Sequence, residues 1–460
     1  MVGPTTITAI DPKPLWGDAV GATIHQGAVR ENNYPGKTAR NGSTRNPLGN
    51  GKAGYDSRIP SERYDSSQFA HLPINMAPGD SLVSTISRPN ELIKHFSGDH
   101  VDPLSNASVL ACLEKPVPTD AFRPSYVDTK NSPVYLARNL RRDLLRKLPR
   151  PKMSNPKLDP PATLEDYARG VQRVWLDQAE MGFAAPTENM PHYGQIMAQQ
   201  LGEATLLLNT DYSAEEKEPL LVGIVQIGID FYGLARGGMT WPAHGGIYSG
   251  RKWPILFAGL MLDDEGMKSP KTGRPKLRFQ EDDQTEFGPV TVQGKAYERS
   301  FSGSRVIFMG HSPYRIGVLE NHWEKGWGVI DVVPPSEWPK RPDGGDVLAS
   351  FGYRRANTSP GWVGQALAAR MMHAEPLWNH DAFFAYVDRW MTEDDSKQNE
   401  AMKEASWRDY TKVKLGRMGR QGYISGPGAA WVGKMWETYR NNLPPAPDGH
   451  KDPKAEDTWK

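Results

Sequence analysis

Cysteine is almost absent from this chain of 460 residues, in which Cys112 is the only one. A single cysteine excludes an internal disulfide and any zinc site built from several cysteines. An excess of charge of either sign is also lacking, because 55 Lys and Arg residues face 54 Asp and Glu residues and give a formal net charge of +1. Nucleic-acid binders and membrane-surface proteins need a large positive excess, so we expect neither nucleic acid nor membrane as a partner.

Long apolar runs and an export signal are missing as well. The hydrophobic fraction is 38% and the mean hydropathy is −0.61, so we expect a soluble globular protein with no bilayer-spanning segment. The start, Met1–Pro4, has neither a basic nor an apolar signal region, which leaves open a cytoplasmic protein or an exported one whose signal was removed.

Turn-forming residues and tryptophan are abundant instead. Gly and Pro together account for 84 positions, and 12 of the 14 Trp residues lie at or after Trp241. Such a composition is typical of long irregular connections, which often form binding surfaces.

The chain divides into a β-rich beginning and a helical remainder. Residues 1–150 contain strand-like segments at 71–75, 81–87 and 107–114, and the Pro-rich stretch 151–162 is a candidate linker. Residues 163–440 are predicted to be a helical domain, interrupted by a loop and strand insert at 265–360, and 441–460 to be a polar tail. We therefore predict a mainly α protein, an incomplete α/α toroid of helical hairpins preceded by a β-rich N-terminal domain.

Helix starts are marked by capping boxes at Thr163 and Ser213. The predicted helices span about 164–175, 193–209, 214–232, 253–262, 362–373 and 381–391, with a last one around 431–439. The third is apolar on all sides and should lie at the centre of the assembly, although Pro219 could delay its start by a turn.

Two polar segments between helices are candidate sites. Glu188–Tyr193 places Asn189, His192 and Tyr193 at a helix start, where backbone amides favour an anion, or it is a simple capping loop. Residues 236–253 combine five glycines with polar and aromatic side chains; for these we favour a functional role over a tight buried turn. The side chains concerned are Arg236, Trp241, His244, Tyr248, Arg251, Lys252 and Trp253.

Other polar groups give weaker indications. His311–Arg315 and Glu320–Trp323, which includes His322, form either a cleft rim or simply loops of the insert, and we favour loops. Asp230 interrupts an apolar helix and needs either an Arg partner or a role, whereas 281–283 is interpreted as a solvated acidic run. No spacing predicts a metal site, and we predict no cofactor.

The chain resembles the helical-toroid polysaccharide lyases, a group that includes the alginate lyases and the heparinase- or chondroitinase-like enzymes. The resemblance rests on the helical hairpins, the Trp-rich loops and two residue clusters, Asn189/His192/Tyr193 and His244/Tyr248/Arg251. The resemblance covers about residues 160–440. Such lyases usually carry their β domain after the toroid, whereas here the β-rich part comes first. The resemblance implies a secreted or periplasmic bacterial enzyme that binds a polysaccharide and cleaves it by β-elimination.

The resemblance also implies roles for single residues. Asn189 and Arg251 would neutralise the uronate carboxylate, His244 would take the proton, and Tyr248 or Tyr193 would return one. Trp241 and Trp253 would stack on sugar rings, and Arg236, Lys252, His192 and His322 would contribute further substrate contacts.

Two alternatives remain open. One is a glycoside hydrolase on the same scaffold, with Asp230 and Asp264 as its two carboxylates. The other is a non-catalytic carbohydrate-binding or structural assembly protein, in which the Trp residues serve packing and contacts. Oligomeric state is not predicted.

Overall fold

The computed structural model describes residues 1–17, 21–25, 28–32, 38–60, 62–92, 103–151, 163–179, 182, 184–311, 328–339, 351–352, 354–394, 396–407 and 426–443. The predicted linker, apart from residue 151, and most of the predicted tail lie outside these residues.

Short antiparallel sheets occupy the first part of the chain. The strands there are β1 (Thr5–Ile7), β2 (Leu15–Gly17), β3 (Gly21–His25), β4 (Ala28–Asn32), β5 (Thr38–Arg40), β6 (Ser43–Arg45), β7 (Ile74–Met76), β8 (Ser81–Ser87) and β9 (Leu104–Ala111). The largest sheet described has the order β6-β8-β9, and Val83 of β8 faces Val109 of β9. The strand predicted at 81–87 is confirmed, whereas β9 begins and ends three residues earlier than predicted.

Helices dominate the described chain after residue 163. They are α1 (Leu164–Val171), α2 (Gly194–Leu208), α3 (Ala214–Arg236), α4 (Lys252–Leu262), α5 (Glu265–Lys268), α6 (Gln280–Asp283), α7 (Ser359–Met371), α8 (Glu375–Trp378), α9 (Asp381–Thr392), α10 (Ser396–Glu404) and α11 (Gly426–Tyr439). The architecture is thus mixed, with helices after small N-terminal sheets.

Local capping sets the start of two of these helices. The Thr163 hydroxyl accepts a hydrogen bond from the backbone of Asp166, and the Ser213 hydroxyl accepts one from the backbone of Glu216. Both acidic side chains reach back to the cap residue, so both predicted capping boxes are confirmed. Pro219 lies within α3 without delaying its start, and α1 ends at Val171, four residues before the predicted end.

Helix α3 is the central helix. It packs against α1, α2 and α4, and it is long and apolar enough, by length and composition alone, to cross a membrane. The expectation that no apolar run is long enough to span a bilayer was therefore wrong as to length and composition. Since 72% of its most apolar window is buried inside the protein, its apolar surface is accounted for by packing against neighbouring helices.

Among the described residues, helices α2 and α7 make the most extensive contact of any helix pair. A Cβ added at Gly202 of α2 would lie 2.6 Å from the backbone nitrogen of Gln365 in α7. Glycine at this crossing lets the two backbones approach more closely than any side chain would allow. This contact places the start of α7 beside the start of α2.

The main core is continuous across the predicted boundary between the β-rich and helical parts. Tyr55, Val83 and Tyr126 belong to the same buried cluster as Trp175 and Phe231. A smaller core joins strands and loops of the 265–360 insert, with Val290, Ile307 and Trp338 among its members.

Within the insert, the described strands are β10 (Thr285–Phe287), β11 (Val290–Val292), β12 (Lys295–Tyr297) and β13 (Val306–Phe308). The strand predicted at 305–309 is confirmed as β13. The one predicted at 327–333 is wrong over its described residues, because 331–333 form a turn that leads into a 3-10 helix at Pro335–Glu337.

Candidate functional site

The loop between α3 and α4, which carries most of the Gly-rich segment 236–253, rests on the short helix α6. The side-chain oxygen of Gln280 accepts hydrogen bonds from the backbone nitrogens of His244, at 3.2 Å, and Tyr248, at 3.0 Å. Its amide nitrogen donates to the carbonyl of Gly245 at 2.9 Å. Three loop residues are thus fixed by one side chain, and such fixed backbone geometry is what a preorganised site requires.

The carboxylates of α6 hold both ends of this loop. Asp283 accepts from the backbone nitrogen of Ala243 at 3.0 Å, and Glu281 accepts from that of Gly250 at 2.6 Å. Both carboxylates and the intervening Asp282 are buried. The prediction of a solvated acidic run at 281–283 was therefore wrong, because each carboxylate has donors from segments remote in the sequence.

Lys252 is one of those partners. Its ammonium lies 2.7 Å from Asp282, which also accepts from Lys271 at 2.6 Å. Burial lowers the pKa of Lys252 to about 8, and the neighbouring carboxylate opposes that shift. With 1% of its surface exposed, Lys252 does not present its charge to a ligand as predicted.

Arg251 is equally enclosed. Its Nε and Nη2 donate to the two oxygens of Asp177 at 2.9 and 2.8 Å, and the indole of Trp241 donates to the same carboxylate at 2.7 Å. All three side chains are fully buried. This cluster anchors the loop to the segment after α1, and it corrects the predicted roles of Arg251 in carboxylate neutralisation and of Trp241 in sugar stacking.

Trp253 is also part of the core. It has no exposed surface, and its indole nitrogen donates to the Thr205 hydroxyl of α2 at 3.0 Å. The predicted stacking of Trp253 on a sugar ring is therefore not supported. Large aromatic rings bury more apolar area than other side chains, so the rings of Trp241 and Trp253 stabilise the packing of the helices beneath the loop.

A half-buried polar group forms where the loop meets the starts of α2 and α7. The hydroxyl oxygen of Tyr193, the residue before α2, accepts hydrogen bonds from the backbone nitrogen of Gly246 and from Nδ2 of Asn357, each at 3.2 Å. Tyr193 and Asn357 are both half-buried. An oxygen that accepts two N–H donors is well placed to carry developing negative charge.

Imidazoles lie next to this group. His244, two residues before Gly246, is half-buried, and its ring meets that of His311 edge-on with centroids 5.3 Å apart. The ring of Tyr248 lies 6.2 Å from that of His244. Tyr248 and His311 are 3% and 4% exposed, so of these three rings His244 is the most accessible to a substrate.

Gly246 allows the loop backbone to lie against both Tyr193 and Asn357. A Cβ at this position would lie 1.8 Å from the carbonyl oxygen of Asn357 and 3.0 Å from the ring of Tyr193. No L side chain fits between these residues, so the glycine sets the distance from the loop to the α2 and α7 starts.

Asn189 and Arg236, two of the predicted site residues, lie elsewhere. Asn189 donates to the carbonyl of Arg173 at 3.2 Å and thereby ties its loop to the end of α1, which corresponds to a capping role. Arg236 pairs with Asp128 at 3.0 Å, at the end of α3. His192 is half-buried beside Tyr193, and His322 lies outside the described residues.

The two carboxylates of the hydrolase alternative have separate structural partners. Asp230 forms an ion pair with Arg123 and is 1% exposed. Asp264 accepts from the Tyr135 hydroxyl at 2.6 Å and caps α5 through the backbone nitrogen of Met267. Neither contact resembles an acid and a base facing a shared substrate.

Asn357 and the ring of His311 are contributions that sequence reasoning did not assign. Asn357 stands shortly before Ser359-Pro360 at a helix start, as Asn189 stands shortly before Pro191. An asparagine before a helix-starting proline was therefore the sequence signal that could have identified Asn357. His311 stood in a segment interpreted as loop of the insert. Only the tertiary contacts of Gly245 and Gly246 bring both residues to the Gly-rich loop.

Within the described residues, no group of three or more His, Cys, Asp or Glu side chains is arranged to hold a metal ion. The chain matches no family model, no curated protein and no solved structure.

Proposed function

We propose that the protein is a polysaccharide lyase that cleaves a uronate-containing glycan by β-elimination at Tyr193, His244 and Asn357. The observation that carries the proposal is the Tyr193 hydroxyl, which accepts from both Gly246 and Asn357 next to a half-buried imidazole. An incomplete helical toroid is the corresponding architecture, and the pairing of the consecutive helices α3 and α4 supports it.

The proposed reaction begins with the uronate carboxylate, which takes a hydrogen bond from the second N–H of the Asn357 amide. Withdrawing charge from the carboxylate makes the proton on the adjacent ring carbon more acidic. His244 removes that proton, and the electron pair of the broken C–H bond forms the ring double bond.

The same electron movement breaks the bond from the neighbouring carbon to the glycosidic oxygen. Tyr193 gives its hydroxyl proton to that leaving oxygen. The phenolate left behind keeps the hydrogen bonds from Gly246 and Asn357 that the hydroxyl already accepts. Proton exchange with solvent then returns His244 to its neutral form and Tyr193 to the phenol, so no external reactant is consumed.

The proposal is tested with a panel of alginate, chondroitin and heparin, together with a neutral glucan. A lyase generates an unsaturated uronate that absorbs in the ultraviolet, whereas a hydrolase generates reducing ends without that absorbance. We expect the ultraviolet signal from at least one acidic polymer and none from the glucan. Reducing ends without absorbance, or saturable glycan binding without product, would overturn it.

Matched variants connect the activity to the site. Tyr193→Phe and His244→Ala remove the proposed acid and base. Tyr212→Phe and His71→Ala remove the same groups outside the site, where Tyr212 stacks under Arg150 and His71 contacts Trp16. Loss of activity in the first pair alone supports the assignment.

A further inference from the structure

A cavity lies beside the outer edge of strand β9. It has a volume of 640 Å³ and is bounded by α1, α3, β9 and the segment 121–123. Ala107, Ser108 and Val109, three successive residues of β9, line it. Since successive side chains of a strand point to opposite faces, three successive residues share one cavity only along their backbone edge. The cavity therefore borders the backbone of an edge strand.

The hydrogen bonds at the end of β9 show which way its backbone groups point. The N–H of Cys112 donates at 2.8 Å on the side of β8. The C=O of Ala111 accepts from the Met1 nitrogen, at 3.1 Å, on the opposite side. Backbone groups alternate in direction along a strand. The N–H and C=O groups of Val109 and Ala107 therefore point away from β8, as those of Ala111 do.

Three of these outward-pointing groups are unpaired. Among the described residues, nothing forms a hydrogen bond with the N–H or C=O of Val109 or with the C=O of Ala107. The N–H of Ala107 is occupied by the side-chain oxygen of Asn106, at 2.8 Å. An edge with a free donor and free acceptors is a template for a further strand.

Extended segments of the chain already pair with this edge on both sides of the gap. The carbonyl of Met1 accepts from the N–H of Leu113 at 2.9 Å, in a parallel arrangement. At the other end, the N–H of Glu188 donates to the carbonyl of Ser105 at 3.0 Å. The strand is about 20 Å long from Ser105 to Ala111, so the unpaired stretch between these contacts holds about four residues of an extended chain.

The walls of the cavity determine which side chains such a segment carries. A residue paired beside Ser108 points its side chain to the exposed face of the sheet, where that of Ser108 lies. The residues before and after it point theirs to the other face, towards the cavity. Val171, Val222 and Ile227 are among the side chains that line the cavity. Aliphatic side chains are therefore favoured at these two positions.

The charged side chains of the lining favour an uncharged segment. Each of them has a partner of opposite sign: Arg123 pairs with Asp230, Arg173 with Glu188, and Glu218 with Arg142. A further charge in the cavity would lose hydration without gaining a free counter-charge.

We infer that the edge of β9 binds a short, uncharged, extended peptide segment that runs parallel to the strand and alternates aliphatic and polar side chains. The N–H of its central residue donates to the carbonyl of Ala107, and its C=O accepts from the N–H of Val109. Met1 makes the same pair of hydrogen bonds with Ala111 and Leu113. The backbone bonds supply affinity and the cavity selects the side chains. None of the residues assigned to the proposed lyase reaction lines the cavity, so the inference is independent of that activity.

Three capped tripeptides test the inference: acetyl-Val-Ser-Val-amide, the same peptide with an N-methylated serine, and acetyl-Ser-Val-Ser-amide. Each is titrated into the full chain and followed by ligand-observed NMR. We expect saturable binding of the first peptide. The second lacks the N–H for Ala107 and the third turns its aliphatic side chain away from the cavity, so both dissociation constants should be at least about fivefold higher. No saturable binding of the first peptide, or equal binding of either control, overturns the inference.

Two variants at one position test the backbone contact. Val109→Pro removes the proposed donor and leaves the hydrogen bonds to β8 in place, because proline is tolerated on an edge strand whose N–H faces outward. Val109→Ala keeps the donor. We expect binding of acetyl-Val-Ser-Val-amide to be lost in the first variant and to persist in the second. Equal binding by both overturns the inference.

A second pair of variants locates the binding and decides the inference if Val109→Pro does not fold. Val222→Trp fills the cavity from α3, whereas Val134→Trp adds the same side chain at an exposed position outside the lining. We expect peptide binding to be lost in the first variant alone, and equal binding by both overturns the inference.

Sedimentation of the peptide-free chain tests a second copy as the occupant of the edge. We expect the parent and Val109→Pro to sediment alike. A dimer of the parent that Val109→Pro dissociates would assign the edge to a second copy and overturn the inference.

Discussion

The Tyr193 hydroxyl lies 3.2 Å from the amide nitrogen of Asn357, although 164 residues separate the two along the chain. Gly246 fills the space between them with backbone alone and donates to the same hydroxyl. Three segments of the chain therefore meet at one oxygen, which is the arrangement on which the proposed proton transfer depends.

Tyr193→Phe should lower turnover on an acidic polysaccharide by roughly two to four decades, because the variant lacks the proton for the leaving oxygen. The half-buried ring is retained, so the melting temperature should remain close to that of the parent. Turnover and melting are measured on the same preparation. Turnover within threefold of the parent would remove Tyr193 from the mechanism.

Gly246→Ala should lower the free energy of unfolding by about 1–3 kcal/mol, because its Cβ would collide with the Asn357 carbonyl. Gly273→Ala serves as a control, since nothing lies within 4 Å of the added Cβ and φ is +72°. That variant should lose only about 1 kcal/mol from backbone strain. Urea unfolding of both variants measures the difference, and equal losses would show that crowding at Gly246 is unimportant.

Arg251→Met should destabilise the fold by about 3–5 kcal/mol, because it leaves the Asp177 carboxylate buried without its cation. Arg141→Met, at an exposed pair with Asp143, should leave the stability close to that of the parent. Thermal unfolding of the two variants separates a buried anchor from a surface pair. A parent-like melting temperature for Arg251→Met, combined with weakened glycan binding, would instead restore the ligand-binding role predicted from the sequence.

Low pH should weaken the ion pairs between Asp282 of α6 and its neighbouring cations. Burial alone would raise the pKa of Asp282, but Lys252 and other nearby cations lower it to about 2 in the folded chain. A carboxyl whose folded pKa is below its unfolded value contributes stability above the unfolded pKa. This contribution, about 2 kcal/mol, is lost as the pH falls from about 4 to about 2.

Urea unfolding at several pH values checks this contribution. Asp282→Asn removes the titrating group, so the variant should be less stable at neutral pH and should lose less stability between pH 4 and 2 than the parent. Parallel pH dependence in the variant and the parent would assign the acid sensitivity to other carboxyls.

The local signals of the sequence located many elements well. Capping boxes at Thr163 and Ser213 mark the starts of α1 and α3, and the β-branched residues within 81–87 mark β8. These features depend on residues a few positions apart, so their physical cause is contained in the segment itself.

The sequence also drew attention to the Gly-rich segment and to Tyr193 and His244 within the candidate site. It could not separate the side chains that face a substrate from those that anchor the loop. His244 remains half-buried, whereas Arg251, Lys252 and Trp253, from the same segment, are enclosed by the core.

The sequence by itself thus determined the starts of α1 and α3, the central position of α3 and the segment that carries the candidate site. Tertiary structure alone decided that the acidic run of α6 is buried, since its partners Gly250, Lys252 and Ala243 are about 30 to 40 residues away along the chain. It also decided that Asn357 joins Tyr193, because that contact depends on the crossing of α2 and α7. Burial of a charged or polar group depends on partners that remote segments supply, and no local pattern encodes them.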